Sequence, residues 1–294
     1  MEQVLQQLVN GLSLGSIFAL TALGYTMVYG ILKLINFAHG EILMMGAFVG
    51  YFSMTTFGLG FLEALVLAMV LCSMLGVVIE RIAYRPLRNS TRIALLITAI
   101  GVSLVLQYTM VNFVGAAVRA YPAPEGFMAG SFTLGGAYVK NAQVLVIGIS
   151  LALMVALQLI VKRTRMGRAM RAVSQDAEAA RLMGISVDNT ISFTFALGSA
   201  LAGAAGVMFG VLYTSIDPLM GLMPGLKSFV AAVFGGIGII PGALIGAFVV
   251  GLLETLVSAT GFSMFRDAVV FAVLIAVLVV KPTGLMGKNQ REKV

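Results

Sequence analysis

Nine apolar runs, separated by short loops whose charges are mostly basic, leave this chain only one solvent in which to fold. The runs lie at about residues 9–31, 38–57, 61–80, 93–115, 141–161, 191–213, 227–240, 241–258 and 266–281. Most approach the roughly 17–25 residues that carry a helix across the hydrocarbon core of a bilayer. The second is polar at its start, and the seventh is too short to cross as a plain helix. Charged residues make up 11% of the chain, against about a quarter in a soluble domain. With a mean hydropathy of +1.02, the expected fold is an all-α, polytopic integral membrane protein of about eight to nine transmembrane helices, some short or interrupted.

Charge sets the orientation. Arg81, Arg85, Arg88 and Arg92 share one loop. Lys162, Arg163, Arg165, Arg168, Arg171 and Arg181 share another, and Lys281, Lys288, Arg291 and Lys293 end the chain. The positive-inside rule places all three groups on the cytoplasmic side. Returning from residue 190 to an inside tail takes an even number of crossings, so 227–240 and 241–258 count separately. The N-terminus then lies outside, Lys33 faces in, and Arg119, Lys140, Lys227 and Arg266 stay on the outer side. Met1-Glu2-Gln3 lacks the basic start of a signal peptide, so the first apolar run reads as a retained span.

Whole classes of chemistry drop out. Cys72 and His39 are the only residues of their types, which excludes internal disulfides, Cys/His metal sets and Cys–His nucleophilic pairs. The net charge of +7 follows from the basic loops and carries no nucleic-acid signature. A phosphate-binding loop is absent: Gly284-Leu285-Met286-Gly287-Lys288-Asn289 has neither the spacing nor the hydroxyl. Any ATP used by this protein is bound elsewhere.

Two segments are candidates for a translocation path. Runs 9–31, 38–57 and 61–80 resemble runs 191–213, 227–240 and 241–258, and the predicted topology gives the two sets opposite orientations. Inverted repeats with short segments at matching positions point to a pathway between them. The first short segment opens on Asn36-Phe37-Ala38-His39-Gly40-Glu41. Its polar groups either line the path or serve the helix start, with Asn36 as cap and Glu41 near the positive dipole end. The second candidate is Gly235, Gly236, Gly238 and Pro241, where glycines allow close approach and proline interrupts a helix. Gly242 and Gly246 have the spacing of packing glycines. The break at Gly238–Pro241 is expected to meet Asn36–His39 near the midplane.

Residues 162–190 form a solvated, basic, helix-forming stretch between spans. Its second half, residues 174–184, predicts one short helix with Ser174 as N-cap, Asp176 and Glu178 near the start, Arg181 near the end and Gly184 as a left-handed C′ residue. Ala179, Ala180 and Met183 recur at i, i+1 and i+4 and are expected on the one face that a docking partner would bury, with Glu178 beside it. A merely solvated basic loop would account for the arginines but not for the caps.

Glu178-Ala179-Ala180, followed after three residues by Gly184, matches the opening of the EAA loop by which permease subunits of ABC importers dock on their ATPases, though the usual Leu-Pro continuation is missing. Together with Thr164-Arg165-Met166-Gly167-Arg168-Ala169-Met170-Arg171-Ala172, Leu34–Glu41 and Gly235-Gly236-Ile237-Gly238, the chain resembles the LivH-type permease of branched-chain amino-acid ABC importers from about residue 8 to 287. The resemblance implies a single transmembrane permease domain over 1–294, with a cytoplasmic coupling loop at about 162–190, in a bacterial inner membrane. It implies a homologous, LivM-like second permease, two ATPase subunits that bind the ATP and magnesium, and a periplasmic or lipid-anchored solute-binding protein. The solute would be leucine, isoleucine, valine or a related small molecule, with no catalysis in this chain. The rival is a self-contained secondary carrier or channel, for which Glu41, Glu63, Glu254 and His39 are too scattered in sequence to supply a convincing ion relay.

Overall fold

The computed structural model describes residues 2–88 and 90–287. Lys288, Arg291 and Lys293, three of the expected inside charges, lie outside the described residues. The helices are α1 (Glu2–Leu32), α2 (His39–Thr55), α3 (Phe61–Ile79), α4 (Arg92–Val114), α5 (Asn141–Arg163) and α6 (Arg165–Gln175). After them come α7 (Ala177–Leu182), α8 (Val187–Tyr213), α9 (Leu222–Gly235), α10 (Ile240–Ala259) and α11 (Arg266–Val280). Among the described residues, seven helices are long and apolar enough to cross a membrane, the last counted from Ser263 through the helical turn that leads into α11. The other two apolar helices, α2 at 17 residues and α9 at 14, rise only about 25 and 21 Å at 1.5 Å per residue, short of a hydrocarbon core of about 30 Å.

The centre is built from α1 and α8, both buried over most of their length. Small residues bring the helices together, as is usual where lipid supplies no hydrophobic drive between them. Gly11 and Gly15 of α1 meet Leu252, Thr255 and Phe248, so α10 runs antiparallel to α1. Gly198 of α8 lies on Gly24 of α1, and Gly203 of α8 lies against Ala68 and Cys72 of α3. The outer helices turn apolar side chains outward, as Val105, Tyr108, Val155 and Ile275 do.

One face gathers the end of α1 with Lys33, the Arg81–Arg88 loop, residues 162–190 and the segment after Lys281; it is called the basic face below. The opposite face carries two small β-ribbons that the all-α expectation leaves out. Strands β1 (Arg119–Ala120) and β4 (Ser215–Ile216) pair antiparallel, as do β2 (Ser131–Leu134) and β3 (Ala137–Lys140). Gly135 and Gly136 both have positive φ, 56° and 86°, the backbone that a tight hairpin demands.

The inverted repeat takes a definite form. From the basic face, residues 33–38 run back into the molecule, and α2 starts at His39 beside Gly24, eight residues short of the end of α1 at Leu32. From the hairpin face, residues 217–221 do the same, and α9 starts beside Gly40. Each short helix thus begins at mid-depth and points the opposite way to the other, so that loop and half-helix together complete one crossing.

Lys227 is not in an outer loop. Helix α9 begins five residues earlier than its apolar run, because Pro224 falls in the first turn, where a missing N–H costs nothing. Lys227 is therefore buried, with its Nζ 2.7 Å from both Glu254 and Asp267. Arg266 adds contacts of 3.7 Å to Glu254 and 3.5 Å to Asp267.

Candidate functional site

The two half-helices meet at their N-termini, and glycines make the meeting possible. A Cβ on Gly40 would lie 2.5 Å from the Gly221 carbonyl oxygen and 2.9 Å from the Gly225 Cα; one on Gly225 would lie 2.8 Å from the Gly40 Cα. No larger residue fits this crossing without moving backbone. The positive ends of two helix dipoles therefore face a common region inside the membrane-spanning body.

Polar side chains collect there. Glu41 is 1% exposed, and its Oε1 accepts from Gln107 Nε2 at 2.6 Å and from Ser103 Oγ at 3.2 Å. Its Oε2 points at the Gly221 backbone and has no hydrogen-bond partner. His39 packs edge-on to Tyr25, ring centroids 4.9 Å apart, with Nε2 unpartnered. Asn36 does not cap α2. That position belongs to Ala38, while the Asn36 Oδ1 accepts from the Tyr84 hydroxyl at 2.6 Å. A buried phenol next to the re-entrant loop attracts the amide more strongly than a cap that the backbone turn from Asn36 O to His39 N already closes. A cavity of about 180 Å³ borders this group, lined by Tyr25, Phe37, Ser103, Gln107, Gly221, Gly225 and apolar neighbours. Ser103 and Gln107, one turn apart in α4, were the overlooked signal: two polar residues on one face of an apolar span.

The second candidate, Gly235, Gly236, Gly238 and Pro241, lies elsewhere. Gly238 faces Gly30, near the end of α1, so the break between α9 and α10 sits at the basic face and does not meet Asn36–His39 at mid-depth. Gly236 and Gly238 have φ of 110° and 91°. Gly235 packs on Gly242, and Pro241 opens α10 rather than interrupting it. The carbonyls freed at the end of α9 are met by the chain's last described segment: Leu285 N–H donates to Phe234 O at 2.8 Å and Met286 N–H to Gly235 O at 3.0 Å.

Residues 165–184 form two helices, α6 and α7, and the helix expected over 174–184 is α7, Ala177–Leu182. Thr164 caps α6, accepting from Gly167 N–H at 3.0 Å. Ser174 lies inside α6 and bonds the Arg171 carbonyl, so the cap of α7 is Asp176, whose Oδ1 accepts from the Glu178 and Ala179 N–H groups at 2.9 Å each. A carboxylate at the N-cap serves two orphan donors and the dipole together. Gly184 does hold the left-handed position, φ 82°. Ile185 N–H reaches Ala180 O and Gly184 N–H reaches Arg181 O, both at 3.0 Å, closing a Schellman turn. The expected docking face of Ala179, Ala180 and Met183 loses Ala180 to the chain's own interior. Ala180 is buried against its own chain, while Glu178 and Ala179 are exposed and Leu182 and Met183 project with 88% and 83% exposure.

Directly after this loop, Asp188 at the start of α8 pairs with Arg85 and, at 2.6 Å, with Arg88, and Arg88 also pairs with buried Glu80. Ser192 of α8 donates to Glu80 at 2.5 Å. The Arg81–Arg88 loop, the end of α3 and the start of α8 are thereby joined by charge.

Comparison with known proteins agrees with this architecture. The family described as branched-chain amino acid transport system, permease component, matches residues 7–278. BraD of Pseudomonas aeruginosa, a high-affinity branched-chain amino acid transport system permease protein, is 41% identical over 99% of this chain and 98% of its own. LivH of Escherichia coli K12, of the same description, is 43% identical over 99% and 97%. The ribose import permease protein RbsC of the same organism is 28% identical over 94% and 85%.

Proposed function

Because the chain belongs to the family of permease components of branched-chain amino acid transport systems, we propose that it forms half of the membrane pathway of an ABC importer for leucine, isoleucine, valine or a closely related solute. The observation that carries the reading is the meeting of two oppositely directed half-helices at mid-depth beside a small polar cavity. Irregular backbone inside a membrane is tolerated where it lines a path. The cavity's outer wall includes Ile100, Leu104 and Leu222, all substantially exposed. A homologous second permease, LivM-like, covers that side.

ATP and magnesium are held by two ATPase subunits at the basic face, which is the cytoplasmic face of a bacterial inner membrane, and a solute-binding protein delivers from the hairpin face. The coupling loop is 162–190. Its tip, Leu182-Met183, enters a cleft of the ATPase, with Glu178 and Ala179 beside it and Gly184 setting the turn. Ala180 supports the tip from within. The Asp188–Arg85–Arg88–Glu80 chain conveys the tip's movement to α3 and α8. Asn36, His39 and Glu41 serve the path at the junction.

The test is reconstitution of the chain with its ATPases, second permease and binding protein in liposomes. Leucine uptake should require ATP and binding protein together. Uptake by the chain alone, driven by an ion gradient, would establish the self-contained carrier instead. Impermeant thiol reagents should reach a cysteine at Gly126 from outside, and one at Asp188 only after the inner face is opened.

A further inference from the structure

We infer that the junction of the half-helices is a recognition site for an α-amino acid zwitterion, with Glu41 holding the ammonium group and the first turn of α9 holding the carboxylate; this rests on the reading of the junction as the pathway. Among the described residues, the buried glutamates differ in one respect. Glu80 pairs with Arg88 and Glu254 with Lys227. Glu41 is as deeply buried as they are and takes part in no ion pair. Gln107 and Ser103 both donate to the same oxygen, Oε1, and so orient the carboxylate while leaving Oε2 directed at the start of α9. A buried carboxylate calls for a cation or a further donor, and an ammonium group supplies both.

The opposite charge has its own place. Helix α9 is 14 residues long, and its first turn offers the N–H groups of Leu222 and Met223, which donate to no carbonyl of the turn before it. Pro224 carries no N–H and competes for nothing. Such a half-helix start is suited to a carboxylate. Glu41 Oε2 lies beside Gly221, the residue before that turn. The two recognition elements are thus adjacent, as the two charged groups on one α-carbon are. Phe37, Ile100, Leu104 and Leu226 supply an apolar wall for the side chain. At about 180 Å³ the cavity is smaller than the roughly 300–1,000 Å³ of drug-sized pockets, which suits one small solute. The ammonium is read by a side chain, so the site discriminates against a carboxylic acid of the same shape.

The experiment uses the assembled importer in nanodiscs without binding protein, so that only the membrane site is read. Leu104→Cys is labelled with a small thiol reagent; native Cys72, 1% exposed, contributes little background. Leucine should slow the labelling, and 4-methylpentanoate, which is leucine without its amine, should not. Adding Glu41→Gln should raise the leucine concentration giving half-protection by about tenfold or more, the loss expected for a charged hydrogen bond. Equal protection by leucine and 4-methylpentanoate, or an unchanged half-protection in the Gln variant, would overturn the ammonium site while leaving the pathway in place. No protection by leucine at any concentration would overturn both. Should the Gln variant fail to assemble, the comparison of the two ligands with Glu41 intact still decides.

Discussion

The chain interrupts its membrane helices in two kinds of place, and the two look alike in sequence. Residues 235–241 hold three glycines and end at a proline; the junction of α2 and α9 also rests on glycines. In the first, every consequence of the break is repaired locally. The segment at 284–287 donates to the carbonyls that α9 leaves free, and Gly235 and Gly242 close the remaining gap. In the second, the glycines bring two helix starts together and leave polar atoms of Glu41, His39, Asn36 and Ser228 without partners. Close packing is common to both. What separates a candidate site from a structural joint is whether buried polar groups have been satisfied.

The same contrast holds between the acids. Glu254 sits in a network with Lys227, Asp267 and Arg266, whereas Glu41 meets only neutral groups. Lys227→Met should therefore give the largest loss of stability, roughly 3 kcal/mol, the low end for a broken buried pair because Arg266 still approaches Glu254. Thermal unfolding of the purified protein measures it; an unchanged midpoint would mean that the network is incidental. Next is Gly225→Val, whose side chain has no room against Gly40. Overpacking of about 1–3 kcal/mol and loss of leucine uptake are both expected, and normal uptake would remove the junction from the path.

Gly238→Ala should cost less. An added Cβ meets nothing nearer than 3.9 Å, so only the positive φ is penalised, by roughly 1 kcal/mol. Uptake per folded molecule should survive. A transport defect at Gly238 with intact stability would restore the break as part of the path. Smallest in stability is the pair Leu182→Ser and Met183→Ser, within about 0.5 kcal/mol because both side chains are exposed. These variants should nonetheless lower ATP-driven uptake and co-purification of the ATPase. If both persist at parent levels, the loop tip docks on nothing.

Much was legible from residues alone. The spans, the clustering of arginines on one face, the two sets of helices in opposite orientation, and Gly184 as a left-handed terminus all follow from hydropathy, charge and glycine stereochemistry, which act over one helix or one turn. Even the hairpin was there to be read in Gly135-Gly136. The cap of α7 was misread within this local range, because Ser174 and Asp176 are both good caps and only the end of α6 chooses between them.

The candidate site itself was only half visible. Asn36, His39 and Glu41 stand out as polar residues at the start of an apolar run, but their partners do not. Tyr84 lies 48 residues from Asn36 and Gln107 lies 66 from Glu41. Gly221 and Gly225 come from the other repeat. Lys227 reads as a loop charge until α10 and α11 bring Glu254 and Asp267 to it. A sequence states which groups are costly to bury, since that cost belongs to the residue. Whether the cost is met belongs to the pair, and pairs at such separations exist only once the helices have packed.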